Sequence, residues 1–137
     1  MMSVIKSKRG ESSVQFLETA QEIQKHSLRQ VVKYIPKRYT FYVSQKITDS
    51  ATDAHSYVKK ANSIFPTNKR DAELRREFFM RAYAEYQSLI SQINIAYDMF
   101  HIPDDAMVAW MQMINSELAL IKAVMRKDKE RYFTLAE

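Results

Sequence analysis

The segment DAELRREFFMRAYAEYQSLISQINIAYDMF, residues 71–100, has the pattern of one long amphipathic helix. Apolar or small residues recur in it at steps of three or four, which predicts a single buried stripe along an α-helix. The stripe consists of Leu74, Phe78, Ala82, Tyr86, Leu89, Ile93, Ala96 and Phe100. A helix of about 30 residues is about 45 Å long, so the other elements must pack along it.

Signals at both ends limit this helix. Pro66 precedes the segment and Pro103 follows it. Asn68 is the predicted N-cap, because its side-chain oxygen can accept a hydrogen bond from a backbone N–H that has no partner inside the helix. Asp71, three residues later, completes a pair that resembles a capping box.

Three further amphipathic helices are predicted around this one. The first spans residues 13–35, the second spans residues 38–65, and the fourth begins at Pro103. The residues predicted to face inward are Leu17, Ala20, Ile23, Ser27 and Val31 in the first, Ser44, Ile47, Ala51, Ala54, Val58, Ala61 and Phe65 in the second, and Met107, Met111, Ile114, Leu118, Ile121 and Met125 in the fourth. Residues 1–12 are predicted to form a basic N-terminal tail, and residues 128–137 either extend the fourth helix or fray. Connections of a few residues favour antiparallel neighbours. The predicted fold is therefore all-α, an antiparallel up-down-up-down four-helix bundle.

The composition agrees with a single bundle domain over residues 13–137. A chain of 137 residues can bury one core, and one glycine with three prolines allows few turns. No apolar run approaches the roughly 20 residues of a membrane span, and the polar N-terminus lacks the apolar segment of a signal peptide. We expect a cytoplasmic protein that does not associate with membranes.

The sequence shows none of the residue arrangements that common enzyme classes need. The chain has no cysteine, which excludes disulfides, thiolate metal sites and cysteine nucleophiles. A di-iron bundle site needs Glu-x-x-His motifs, but none of His26, His55 and His101 has a glutamate three residues earlier. One glycine cannot form a phosphate-binding loop. We therefore expect no catalytic activity, no metal and no cofactor.

The charge distribution is the main functional signal. The net charge is +5, and in the predicted bundle residues 1–11, 59–77 and 126–137 share one end, here called the basic pole. These segments carry thirteen cations and seven anions, whereas the rest of the chain carries eight cations and nine anions. The candidate nucleic-acid-binding residues are Lys59, Lys60, Lys69, Arg70, Arg75, Arg76, Arg126 and Lys127.

Two interpretations of the basic pole remain open. It is either a solvated end whose charges pair along the helices, or a surface that binds polyanions by neutralising phosphates. A second basic cluster lies at the other pole and contains Lys33, Lys37, Arg38 and Tyr39. Its aromatic residues either stack on nucleobases or cap the bundle core.

The third helix carries a second apolar stripe that four helices cannot cover. Tyr83, Ile90 and Tyr97 lie at helical spacing, with Phe79 and Tyr86 at the margin. A long apolar patch on a monomer usually marks an interface. The sequence therefore predicts a homo-oligomer.

Helices 2 and 3 resemble a known family of small bacterial four-helix bundles. The resemblance is carried by Ala61-Asn62-Ser63-Ile64, Asn68, Phe78-Phe79, Ala82, Glu85, Ser88-Leu89, Gln92-Ile93 and Ala96. The family includes the accessory variability determinant of diversity-generating retroelements and proteins encoded by intervening sequences in ribosomal RNA genes. Resemblance to the retroelement member implies a basic, ring-shaped homopentamer that binds nucleic acid and docks on a reverse transcriptase. By position, the implied nucleic-acid contacts are Lys69, Arg70, Arg75 and Arg76.

Two functions from different classes follow. The first is a non-enzymatic accessory protein that binds RNA, DNA or their hybrid and is the reverse-transcriptase partner of a diversity-generating retroelement. Its lysines and arginines would contact phosphates rather than base edges, so binding would be tolerant of sequence. The alternative is a scaffold of the same bundle family that binds only protein partners.

Overall fold

A computed structural model describes the backbone of residues 4–136 and the side chains of residues 15–136. The described chain is all-helical, which confirms the predicted class and the number of long helices. None of these helices is both long and apolar enough to span a bilayer. The helices are α1 (Val4–Tyr34), α2 (Gln45–Asn62), α3 (Lys69–Met99) and α4 (Asp104–Arg131).

Two helix starts differ from the prediction. From Val4 onward, the predicted basic tail is part of α1, and residues 1–3 lie outside the described residues. α2 begins later than predicted, because a 3-10 turn (Lys37–Tyr39) and a π-helical turn (Thr40–Ser44) precede it. Such turns are common at helix ends, and π-helical turns occur often at functional sites.

The predicted start of α3 is confirmed at the level of its cap. The Asp71 backbone N–H donates to Oδ1 of Asn68 at 2.8 Å, so Asn68 is the N-cap. The Asp71 carboxylate does not complete the capping box as expected; it accepts from the Thr67 hydroxyl at 3.4 Å. Pro103 is the residue before the first turn of α4, one position earlier than predicted.

The core stripe of α3 differs from the prediction in its first half. Leu74 is 43% exposed and Phe78 is half-buried, while Arg75 and Phe79 are buried instead. At about 100° per residue, a step of four residues rotates about 40° past one full turn of the helix. The predicted run of three such steps therefore leaves the buried face. Alternating steps of four and three keep the stripe on one side. The observed stripe is Arg75, Phe79, Ala82, Tyr86, Leu89, Ile93 and Ala96.

The other helices bury most of the residues that were predicted to face inward. Small residues dominate the buried face of α2, which allows α3 to pack closely against it. On α4 the core positions include Trp110 and Glu117, whereas the predicted core methionines Met107, Met111 and Met125 are only half-buried. The confirmed core residues are Ala20, Ile23, Ser27 and Val31 of α1, Ile47, Ala51, Ala54, Val58 and Ala61 of α2, and Ile114, Leu118 and Ile121 of α4.

Side-chain hydrogen bonds show how neighbouring helices are oriented. They join α3 to α4 at three residue pairs of the described chain, Arg75–Asp128, Tyr86–Glu117 and Tyr97–Asp104. Residue numbers rise along α3 as they fall along α4, so these two helices run in opposite directions. The residue order in these contacts also places the start of α3 beside the end of α4.

Candidate nucleic-acid interface

The guanidinium of Arg75 is the centre of the basic pole. Its Nε and Nη2 donate to the two carboxylate oxygens of Asp128, at 2.6 and 3.4 Å, in a bidentate ion pair. Its Nη1 donates to the backbone carbonyls of Ala61 and Ile64, at 3.2 and 3.1 Å. The group also lies over the ring of Phe79. One side chain therefore joins the end of α2, the start of α3 and the end of α4.

These contacts separate Arg75 from the other predicted phosphate ligands. Arg75 is only 8% exposed, and its guanidinium donors are directed at Asp128 and at two carbonyls inside the fold. A buried and paired arginine holds helices together and does not present its charge to an external phosphate. These contacts do not support the predicted contact of Arg75 with nucleic acid, and we assign this residue a structural role.

The remaining seven candidates are all exposed, and the Arg75 contacts bring their segments to one end of the molecule. Two neighbours on α4 that the prediction did not single out, Lys129 and Arg131, are exposed as well. Over the described parts of the pole, residues 59–77 and 126–136, ten cations face five anions, and Asp128 is bound internally by Arg75. The exposed candidates are Lys59, Lys60, Lys69, Arg70, Arg76, Arg126 and Lys127.

Aromatic residues position part of this charge. The Nζ of Lys60 lies 5.4 Å from the ring centroid of Tyr57 and 6.0 Å from that of Phe78. The two rings are themselves stacked, with centroids 6.2 Å apart. Arg81 lies over the same Tyr57 ring and pairs with Glu77 at 2.7 Å. At the edge of the pole, the Glu77–Arg81 pair is thus of the kind found at a solvated helix surface, whereas Lys60 is placed against aromatic rings.

A groove between the start of α3 and the end of α4 was not predicted. Its volume is about 450 Å³, and a second cavity of about 320 Å³ adjoins it along α3 at Glu73 and Arg76. After α4 the chain turns back, and the carbonyl of Ala136 accepts from the backbone N–H of Lys69 at 2.9 Å. The groove is lined by Lys69, Ala72, Glu73, Arg76, Met125, Asp128, Lys129, Tyr132 and Phe133.

The second basic cluster has features of an aromatic cap on the core and of a surface that stacks on nucleobases. Tyr39 is half-buried and packs edge-to-face on Phe100, with centroids 5.0 Å apart, as an aromatic cap on the core would. Arg38 lies over the Tyr39 ring, and the exposed residues Lys33 and Lys37 precede it in the sequence. The next two aromatic residues, Phe41 and Tyr42, are on the π-helical turn and are exposed to solvent.

A buried acid on α4 was also missed by the sequence analysis. Glu117 is fully buried, and its Oε2 accepts a hydrogen bond of 3.4 Å from the hydroxyl of Tyr86. Its Oε1 has no hydrogen-bond partner among the described residues. Burial raises the pKa of Glu117 to about 8, and burial together with the nearby Glu117 raises the pKa of Tyr86. Glu117 therefore holds its proton at neutral pH, which avoids an unpaired charge in the core.

His26 and His55 each contact a residue of a different helix. Nδ1 of His55 lies 2.6 Å from Oε1 of Gln24, and the ring of His26 packs edge-to-face on Trp110. Burial lowers the pKa of both histidines, and nearby Arg29 and Lys59 lower those of His26 and His55, respectively. Within the described residues, no three acidic or histidine side chains form a group that could hold a metal ion.

Comparisons with known proteins add no assignment. No protein-family profile, curated protein or solved structure matches this chain.

Proposed function

We propose that this protein is a non-enzymatic accessory protein that binds nucleic acid through the exposed lysines and arginines of its basic pole. One observation carries the proposal: Arg75 is buried and binds Asp128, whereas the other seven candidate residues are exposed to solvent. Exposed cations gathered on one surface attract phosphates and release counterions when they bind. Because they would contact the backbone of the nucleic acid, binding would tolerate any sequence and admit RNA, DNA or a hybrid.

The proposal includes an antiparallel up-down-up-down arrangement of all four helices. The opposed contacts between α3 and α4 support it, as do those between α2 and α3, where Ala61 meets Arg75 and Ser50 meets Gln92. α2 packs against α1 and α3, and α4 packs against both α3 and α1, so α1 closes the arrangement. This arrangement would bring the start of α1, with its lysines and arginine, to the same pole.

The proposed partner is the reverse transcriptase of a diversity-generating retroelement, in the cytoplasm. The resemblance described above supports this assignment. Many of the residues that carry it, including Ala82, Leu89, Ile93 and Ala96, are in the core, and Asn68 caps α3. The resemblance therefore bears on the packing of α2 against α3 more directly than on the basic surface.

A protein-only scaffold is the second candidate. It is favoured by the exposed aromatic pair Phe41 and Tyr42, since large apolar side chains in solvent often mark protein interfaces. Homo-oligomerisation, with a pentamer by resemblance, is compatible with either function.

The test of the proposal is a binding titration at several salt concentrations. Filter binding with an arbitrary duplex and an RNA–DNA hybrid should show affinity that falls steeply as salt rises, with a log–log slope of about −0.9 for each phosphate contact to B-DNA. If neither probe binds at low salt, the nucleic-acid function is excluded and the protein-only scaffold remains as the candidate function.

A further inference from the structure

The groove between α3 and α4 offers an aromatic surface inside the basic pole. Phe133, in the turn after α4, is 77% exposed although it lines the groove. Two backbone hydrogen bonds hold this turn: the Tyr132 N–H donates to the Asp128 carbonyl at 2.9 Å, and the Leu135 N–H donates to the Tyr132 carbonyl at 3.3 Å. The exposed ring is therefore presented by an ordered turn.

The charge around the groove favours an anionic occupant. Its lining includes the cations Lys69, Arg76 and Lys129 and the acids Glu73 and Asp128. The Asp128 carboxylate is neutralised by the bidentate contact from Arg75, so the charges of Arg76 and Lys129 outweigh that of Glu73 in the described lining. A volume of about 450 Å³ lies within the range of roughly 300–1,000 Å³ that suits small organic groups.

A flat apolar ring with phosphates on either side matches this combination of surfaces. The faces of nucleobases are free for stacking in a single strand, whereas in a duplex they are stacked on one another. Deepening the proposed function, on which this step rests, we infer that the groove binds a single-stranded segment. One base stacks on Phe133, and the flanking phosphates lie against Arg76 and Lys129.

The inference can be tested with three probes of equal length, labelled for fluorescence anisotropy: a single strand, a duplex of the same sequence, and a single strand with abasic sites. Phe133→Ala removes the ring without changing the charge. Stacking contributes about 1–3 kcal/mol per base, so affinity for the intact single strand should fall by roughly 5- to 150-fold. Affinity for the duplex and for the abasic strand should stay the same.

Phe41→Ala is the matched control, because Phe41 is also 77% exposed but lies on the π-helical turn near the second cluster. It should leave all three affinities unchanged. If Phe133→Ala weakens the abasic strand as much as the intact one, or weakens neither, the groove does not stack a base and the inference is wrong. The basic-pole function would then still stand, provided that the wild-type protein binds the duplex.

Failure of the wild-type protein to bind any of the three probes would overturn both proposals together. A protein occupant makes a different prediction for the same variant. If an acidic peptide containing phenylalanine binds more tightly than the single strand, and Phe133→Ala abolishes that binding, the groove belongs to a protein partner and the inference is overturned.

Discussion

Arg75 and Asp128, 53 residues apart in sequence, form a bidentate ion pair that joins the start of α3 to the end of α4. Their side chains are only 9% and 13% exposed. The same guanidinium donates to two carbonyls at and just beyond the end of α2. The pair therefore fixes the three segments on which the exposed lysines and arginines of the basic pole are carried.

Loss of this pair should affect stability and not nucleic-acid binding. Arg75→Ala leaves the Asp128 carboxylate and two carbonyls without their donor, and breaking a buried pair in this way typically destabilises by about 3–5 kcal/mol. Urea unfolding measures the loss. The salt dependence of nucleic-acid binding should keep its wild-type slope under conditions in which the variant is folded.

Arg81→Ala is the control for that experiment. Arg81 pairs with Glu77 on the same helix, but its side chain is more than half exposed, so the loss of stability should be much smaller. A small loss for Arg75→Ala accompanied by a shallower salt slope would show that Arg75 contacts phosphate after all.

Glu117 should make stability depend on pH. Its pKa of about 8 in the fold exceeds the ordinary value of 4.5, so the folded state binds more protons than the unfolded chain between these limits. Stability from this group is complete below about pH 4.5 and falls by up to about 1.4 kcal/mol per pH unit until about pH 8. Glu117→Gln removes this titration and keeps an acceptor for the Tyr86 hydroxyl.

Urea midpoints of wild type and Glu117→Gln should therefore agree near pH 4.5 and diverge as pH rises, with the variant more stable at pH 8.5. The lowered pKa values of His26 and His55 act in the opposite direction, because their folded forms release protons more easily. Both histidines are present in the wild type and in the variant, so the difference between the two urea midpoints reports the titration of Glu117. Parallel pH profiles would contradict a raised pKa at this residue.

Removal of the α3 cap should have a modest, local effect. Asn68→Ala deletes the acceptor for the Asp71 N–H and should lower stability by about 1 kcal/mol. Asn68→Asp keeps an acceptor and should remain close to wild type. If thermal unfolding shows equal losses for the two variants, the cap hydrogen bond is not what stabilises this end of the helix.

Helix number and the α3 cap could be predicted because they depend on local patterns of apolar residues, proline and asparagine. The register of α3 could not be predicted over its first half, since Leu74–Phe78 and Arg75–Phe79 are both four residues apart. Because Leu74 is apolar, the sequence favours it over Arg75 as the core residue. In the structure, the ion pair with Asp128 makes burial of Arg75 favourable instead. That contact comes from another helix and leaves no local signal.

The site was predictable to a similar extent. Formal charge and helix order located the basic pole, because exposed cations are the usual state of lysine and arginine. The groove could not be predicted, because it depends on where the chain turns after α4. For residues 128–137 the sequence allowed either a longer helix or a frayed end. Glu117 did leave a signal, since it lies three residues after Ile114 and four before Ile121 on the buried stripe.

The predicted homo-oligomer depends on the apolar surface of α3, and this surface differs from the predicted one. Phe79 and Tyr86 are in the core, and Tyr83 and Ile90 are half-buried, with Lys122 over the Tyr83 ring. Exposed Met80, Ile95 and Met99 remain on the helix. We still expect a homo-oligomer, and light scattering at micromolar concentration should give a mass above that of the 16.1 kDa chain. A monomer would exclude it.

The most direct test of nucleic-acid binding at the basic pole compares two triple charge reversals. Arg70, Arg76 and Lys127, all exposed at the pole, are changed to Glu in one variant, and Lys33, Lys37 and Arg38 in the other. Each triple removes the same charge, so net charge alone predicts equal effects. We expect the first triple to abolish most of the affinity and to reduce the salt slope by about one for each lost phosphate contact, while the second binds nearly as wild type. Equal losses in two variants that stay helical by circular dichroism, or a larger loss in the second, would contradict a site at this pole.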